Sequence, residues 1–412
     1  MPGLSAKMIM VTIISIKSIN RKKPIEYSTI GILSIAHMLN DMYSNYLPQM
    51  LPFLVAATAL TTTRAAILVS AFTISSSFIQ PLFGYLLDRQ GKRWLVHVGT
   101  LWMAIMLSLT GLVHNYLLLV LLAGLAGLGT AAFHPQASTM ITVVSGDRKA
   151  VLLSTFIAFG NMGFALSPLL LVPLFQTYGL QATIYTVIPG IFVALLLYFF
   201  APRNDILGGN APTFSEVLHS LQSARSELLA ITGVIAIRSL AYTGLLTILP
   251  LYFQAQKLSS VAGSHLVFIM LFSGAIGGIL GGLISDNYGR KPLIVGSLML
   301  ATPLFYGFSH TNGTLSTIFL ALAGAFLLSS FSVTVVAAQE AIPNNKSLAA
   351  GLTMGFAGGV GGLMVILIGR IGDLYGLSTA ISVLFCLPIV AGFIALFMKS
   401  RPTARAERIA AR

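Results

Sequence analysis

The chain has 412 residues, 56% of them hydrophobic and only 8% charged, with a mean hydropathy of +0.88 and a formal net charge of +13. No soluble domain of this length hides so much apolar surface, and the apolar runs are continuous rather than alternating, which excludes a β-barrel. The single cysteine, Cys386, excludes an intramolecular disulfide.

Residues 1–27 form an N-terminal extension whose stretch Met8–Ile19 is apolar but short and broken by Lys17. A surface-lying helix, a start site placed too early and a weak signal-like stretch all fit it; without a persuasive small-residue cleavage site it reads as a cytoplasmic extension. A helix needs roughly 20 apolar residues to cross a hydrocarbon core of about 30 Å. Twelve such runs follow: 28–55, 64–87, 94–113, 115–141, 148–176, 181–200, 227–255, 261–286, 290–309, 313–340, 346–370 and 377–398. The segment 201–226 links residues 28–200 to residues 227–398, and 399–412 is a polar tail. Within the linker, Phe214, Val217, Leu218 and Leu221 give Phe214–Arg225 one apolar side, suited to lying on a membrane surface. The connections between runs leave no room for a soluble catalytic domain.

Lysine and arginine set the orientation. Of 24 basic residues, 20 lie in the two tails and the loops that follow even-numbered runs. Arg64, Lys257 and Arg370 lie toward the other side, and Arg238 lies inside a run. Both termini are therefore expected in the cytoplasm, which also accounts for the net charge. Nucleic-acid binding by the basic tails (Arg21, Lys22, Lys23; Arg401, Arg405, Arg408, Arg412) is the weaker explanation.

Between the second and third runs stands Gly84-Tyr-Leu-Leu-Asp88-Arg89-Gln-Gly91-Lys92-Arg93. A degenerate copy, Gly282-Leu-Ile-Ser-Asp286-Asn-Tyr-Gly289-Arg290-Lys291, returns 198 positions later, and at the same offset Gly160 falls on Gly358 and Gly163 on Gly361. Two motifs agreeing at one offset predict two six-helix halves in parallel orientation, with a site between them near mid-membrane. Here the sequence resembles the major facilitator superfamily, whose signature pairs a glycine with an acid four residues on, a base, then a glycine and paired bases. The second copy departs only at Asn287, where a base is usual. The implied fold is an all-α membrane protein of twelve transmembrane helices in two six-helix parallel repeats. The resemblance implies that Gly84, Asp88, Arg89, Gly91, Lys92 and Arg93, with Asp286, Gly289 and Arg290, form a conformational latch. In it Asp88 docks on the positive N-terminus of the eleventh span across the half-to-half interface and holds an outward-facing state. The plainer reading, charges that merely solvate a loop, explains the bases but not an acid and glycines placed alike twice.

Four further segments narrow the branch: Ala36-His37-Met-Leu-Asn40-Asp41, Gly127-Leu-Gly129-Thr-Ala-Ala-Phe133-His134-Pro135, Phe159-Gly160-Asn161-Met-Gly163 with Ser167-Pro168, and Ala338-Gln339-Glu340 with the glycines that follow. Together they are similar to the fosmidomycin-resistance exporters, a bacterial drug:proton antiporter branch. The resemblance implies export of an anionic phosphonate antibiotic across the inner membrane. The chain departs from common antiporter practice at Ala123, where an arginine is frequent, and carries Ser167-Pro168 where Gly-Pro is usual.

An ionisable side chain within a span costs about 2.5–3.5 kcal/mol on insertion scales and is a functional hypothesis by default. Asp41 is the one acid well inside a run, and His37, Asn40, Asp41 and Ser44 share a helix face. Asp41 is expected to bind the coupling proton with His37 tuning or relaying it; a structural hydrogen bond is the plain alternative. Arg238 maps to within one residue of Asp41 in the repeat and suits a carboxylate or phosphonate. The expected mechanism pairs Asp41 with Arg238 in the empty carrier, a pair that protonation or an arriving anion then breaks; a permanent structural ion pair is the rival. His134 before Pro135 serves a cavity-facing gate or a kink. Glu340 is a second proton site or an interface acid near Lys346. Asn40, His134, Asn161 and Tyr242 are candidate cavity residues, with Tyr43 and Tyr46 behind them. Gly160, Gly163, Gly358 and Gly361, beside Gly359 and Gly362, are expected to let helices approach closely.

No Walker phosphate loop is present, and His37, His97, His114, His134, His219, His265 and His310 are too scattered in sequence to suggest a metal cluster. The chain thus reads as no enzyme, with no cofactor and no metal, driven by an ion gradient. Its expected partners are a small-molecule substrate, protons and the lipid bilayer, and nothing demands more than a monomer. The leading expectation is a proton-coupled exporter of a small amphiphilic or anionic compound. Rivals are a carrier of the same fold for a natural metabolite (sugar, organic anion or siderophore), importers included, and a non-transporting sensor or scaffold.

Overall fold

The computed structural model describes residues 25–80, 82–83, 93–145, 149–202, 219, 221–343, 349 and 351–400. Gly84, Asp88, Arg89, Gly91 and Lys92 of the first signature lie outside these, as do Lys346, the N-terminal extension through residue 24, most of the 201–226 linker and the tail from 401. Every regular element among the described residues is helical. Ten helical segments there are long and apolar enough to cross a membrane.

In chain order the helices are α1 (Tyr27–Ser44), α2 (Tyr46–Thr58), α3 (Thr62–Phe78), α4 (Trp94–Ser108), α5 (Tyr116–Val144), α6 (Lys149–Tyr178) and α7 (Val187–Phe200). After the linker come α8 (Arg225–Ala255), α9 (Ser260–Tyr288), α10 (Arg290–His310), α11 (Gly313–Ala341), α12 (Gly358–Tyr375) and α13 (Leu377–Ala395). The starts follow local chemistry. Thr61, Asn115 and Ser259 each accept a backbone N–H of the first turn of α3, α5 and α9, at 3.2, 3.1 and 3.2 Å. Gly289, the second signature glycine, stands at φ 98° between α9 and α10, where an L side chain would be strained.

The first apolar run is not one helix. It breaks at Asn45, because Pro48 has no N–H to offer the Ser44 carbonyl. The break is bonded into α6: the Asn45 side chain donates to the Phe164 carbonyl at 3.0 Å, and the Ser167 hydroxyl donates to the Asn45 carbonyl at 3.2 Å. The serine that departs from the family's Gly-Pro thus has a structural task here. The eleventh run also differs from its predicted bounds. It enters through a π-helical turn, Gly351–Ala357, and continues to Tyr375, past the expected end at 370.

Two large buried clusters form most of the core among the described residues, one drawn mainly from residues 30–201 and the other from residues 228–398. Large apolar side chains such as Leu117, Phe192, Leu283 and Phe397 are exposed on the outside, as lipid-facing surface requires. The clusters meet where α3 packs antiparallel along α12, α6 along α9, and α2 against α8. The α3–α12 seam is built of small residues: a Cβ on Gly369 would fall 2.8 Å from the Ala66 Cβ, and one on Gly362 would fall 2.3 Å from Thr73. Backbones can approach this closely only where side chains are missing.

Candidate functional site

Asp41 occupies the middle of α1 at 9% exposure. His37, one helical turn earlier, sets its Nε2 3.4 Å from Asp41 Oδ2. His134, from the Pro135-containing stretch of α5, sets its Nε2 3.3 Å from Asp41 Oδ1. The histidines are far apart in sequence, yet α1 and α5 bring two of them onto one carboxylate. The expectation that the histidines are too scattered to cluster is corrected here: ligand-type atoms of His37, Asp41 and His134 lie within 4.8 Å of one another. His37 is held on its far side too. Its Nδ1 is 2.7 Å from the Phe156 carbonyl of α6, and its ring stacks on the Phe156 ring at 4.0 Å.

That bond constrains where protons sit. A carbonyl oxygen only accepts, so Nδ1 carries the hydrogen, and in a neutral ring Nε2 then bears a lone pair. A lone pair facing a carboxylate is repulsive. The contact becomes attractive when a proton resides on Nε2 or on Asp41.

Gly160 makes room for it. A Cβ at this position would lie 2.4 Å from Asp41 Oδ2 and 2.5 Å from His37 Cε1. Gly160→Ala is therefore expected to push the carboxylate off its histidines and to destabilise the protein by about 1–3 kcal/mol, the usual cost of overpacking. A lowered melting temperature together with lost transport checks this. Gly163 is equally tight, with its Cβ position 1.9 Å from the Met38 carbonyl, and Gly361 meets Ala236 O at 2.5 Å. Gly358 does not follow the expectation: its nearest neighbours, Ser239 Oγ and Thr353 O, stand 4.0 Å away. Ser239 is smaller than its repeat counterpart Asp41, so less presses on that glycine.

Arg238, buried on α8, does not pair with Asp41. Its Nη1 donates to Thr334 Oγ1 at 3.3 Å and Ser330 Oγ at 3.5 Å on α11, and its guanidinium lies over the Phe331 ring at 4.6 Å. The expected Asp41–Arg238 pair is absent for a geometric reason. Each charge turns into its own cluster, Asp41 toward α5 and Arg238 toward α11, the counterpart of α5 in the repeat. Among the described residues Arg238 forms no ion pair, so hydroxyls and an aromatic face are what offset a buried cation. Tyr242, one turn along α8, lies within electrostatic reach of both Asp41 and Arg238, and its ring faces Phe164 of α6 at 6.4 Å.

Other candidates fall elsewhere. Asn40 is fully buried and donates to Thr100 of α4 and to the Ala36 carbonyl, both at 2.9 Å, which makes it part of the N-terminal packing and not of the cavity. One residue of rotation, about 100°, separates it from Asp41. Tyr43 and Tyr46 bond Thr186 beside α7. Asn161 is exposed on α6. Glu340 is 3.2 Å from Arg290, which also holds Asp286 at 2.5 Å and Ser285 at 2.7 Å. These three elements of the second signature thus tie α9, α10 and α11 together, and Glu340 does not join the Asp41 cluster. Of the first signature only Arg93 is described; it donates to the Tyr198 carbonyl of α7.

Sequence reasoning missed Asp373. Near the end of α12 its carboxylate accepts the N–H of Thr62 at 2.6 Å, the N–H of Thr63 at 3.0 Å and the Thr63 hydroxyl at 2.5 Å. It caps the N-terminal end of α3 across the interface. A carboxylate at a helix N-terminus contributes up to about 2 kcal/mol. Asp373→Asn is therefore expected to open this end several-fold more often. The check is the rate at which an impermeant maleimide labels a cysteine placed at Ala66, which is fully buried in the seam, in a Cys386→Ser background.

A family model described as Major Facilitator Superfamily matches residues 33–353. The uncharacterized MFS-type transporter YfnC of Bacillus subtilis (strain 168) is 30% identical over 394 residues, covering 93% of this chain and 96% of that protein. The fosmidomycin resistance protein of Escherichia coli (strain K12) is 27% identical over 383 residues, 90% of this chain and 93% of that one. Among solved structures, the nucleoside transporter NupG superposes with a TM-score of 0.76 at 14% identity, covering 90% of this chain and all of that one. A bacterial homolog of the human lysosomal transporter Spinster, in an inward-facing and occupied conformation, gives 0.72 at 14% identity over 91% of this chain and 97% of that one. The chain belongs to the Major Facilitator Superfamily: it is an integral membrane transporter and not an enzyme, and it resembles the fosmidomycin-resistance branch.

Proposed function

We propose that this chain is a proton-coupled exporter of the bacterial inner membrane that moves a small amphiphilic or anionic compound outward as protons move inward. Twelve spans, made by counting α1 with α2 as the first, form two six-helix halves with both termini in the cytoplasm. The observation that carries the reading is the buried Asp41 carboxylate set 3.4 and 3.3 Å from the Nε2 atoms of His37 and His134, contacts that a proton on either partner makes attractive. The register of the helices supports the repeat: Asp41 lies against Gly160 in one half and Ser239 against Gly358 in the other, each pair displaced by 198 residues.

Asp41 is the proton carrier in this account, His37 its fixed neighbour and His134 the partner nearest the cavity, with a side chain 21% exposed. Arg238 supplies the positive charge for an anionic cargo, and Tyr242 lies between them. An anion drawn to Arg238 and a proton drawn to Asp41 then favour different states of one cavity, which is what exchange requires. The likeness to a fosmidomycin resistance protein supports a phosphonate cargo. Expressing the chain in a fosmidomycin-sensitive bacterium tests this: the inhibitory concentration is expected to rise and intracellular drug to fall. Unchanged sensitivity and accumulation, with the protein present in the membrane, would sink the phosphonate cargo.

A further inference from the structure

We infer that His37, Asp41 and His134 also form a site for a divalent transition-metal ion of the zinc type, which occupies the triad in place of the proton. Four features of the site point there. The first is distance. Ligand atoms on neighbouring corners of a tetrahedral zinc site, each about 2.0–2.1 Å from the ion, stand about 3.3–3.4 Å apart. The Nε2 atoms of His37 and His134 stand 3.4 and 3.3 Å from Asp41, each from a different oxygen of its carboxylate, and one donor atom from each residue lies within 4.8 Å of the other two, so a small closure brings all three round one ion.

The second is orientation. A metal-binding imidazole characteristically donates its other N–H to a carbonyl or carboxylate, which fixes the tautomer and aims the free nitrogen at the ion. The His37 Nδ1–H on the Phe156 carbonyl does this at 2.7 Å, and the Phe156 ring clamps the imidazole in place.

The third is donor type. Two imidazoles and one carboxylate suit zinc, cobalt or nickel, whereas magnesium and calcium prefer all-oxygen shells. The fourth is access. His37 and Asp41 are buried, and His134 is the partly exposed member, so three protein ligands leave a fourth position on the side where His134 opens. Because an ion there takes the lone pairs that receive the proton, micromolar zinc is expected to inhibit transport. The metal site itself does not depend on the direction or the cargo of transport.

The test uses full-length protein in detergent, freed of any polyhistidine tag and titrated with Co²⁺. One equivalent is expected to raise the intense visible bands of tetrahedral cobalt. Zn²⁺ should abolish those bands, and excess Mg²⁺ should leave them. Asp41→Asn and, separately, His134→Gln should each weaken Co²⁺ binding at least tenfold while the melting temperature confirms folding. Wild-type protein without tetrahedral bands, or bands of equal affinity in both variants, would overturn the inference. Absent bands alongside intact, Asp41-dependent proton coupling would remove the metal site and leave the proton reading standing. Triad-dependent bands alongside transport indifferent to Asp41→Asn would do the reverse.

Discussion

Asp41→Asn is expected to reduce proton-driven transport to the level of empty liposomes while leaving substrate-for-substrate exchange intact. The amide keeps the size and shape of the carboxyl and leaves Arg238, where the cargo docks, untouched, so the carrier can still reorient with cargo. It cannot release a proton, so uphill movement stops. A purely structural Asp41 behaves differently. Its amide would disturb both modes together, because the loss would lie in packing against Gly160 and His37. Measuring counterflow and proton-driven transport on the same preparation separates the two cases. Equal loss of both modes would refute the assignment of the coupling proton to Asp41.

Arg238→Met is expected to weaken anion transport roughly 10- to 100-fold, the range given by losing one charge-assisted interaction of about 1.5–3 kcal/mol. It should do so without lowering the melting temperature. The reason is the unusual setting of this cation, 3% exposed and held by two hydroxyls and an aromatic face. Burying a charge costs several kcal/mol, and exchanging buried ionic groups for apolar ones of similar size is neutral or stabilising by up to about 4 kcal/mol. A residue kept for stability would show the opposite: a fall in melting temperature with little change in substrate KM. The paired readout, apparent affinity for an anionic substrate against thermal unfolding, decides between cargo binding and scaffolding.

The helical runs were legible because crossing a bilayer leaves so strong a mark on composition, and Asp41 stood out because an acid in such a run is expensive. Partners across the fold were not legible. Nothing in the spacing of His37 and His134 says that α5 delivers the second histidine to Asp41, and nothing marks Phe156 as the carbonyl that fixes the tautomer. Gly160 could be singled out as a close-packing glycine, but only the packing of α6 on α1 reveals that it leaves space for a carboxylate. Arg238 falls within a helix long and apolar enough to cross a membrane, and its repeat equivalence suggested a pairing that the structure does not contain. A one-residue offset on a helix turns a side chain by about 100°, enough to send Arg238 to α11. Asp373 escaped notice because it sits at the end of an apolar run, where an acid carries no sequence penalty; its role as the cap of α3 arises only from the seam between α3 and α12.

The most direct measurement of the central claim is lumenal pH in proteoliposomes loaded with a pH dye, with fosmidomycin added outside and no pH gradient imposed. If an inward substrate gradient drives protons outward through the triad, the lumen becomes alkaline with wild-type protein and does not with Asp41→Asn. Fosmidomycin entry with no pH change, or with acidification of the lumen, would contradict proton antiport.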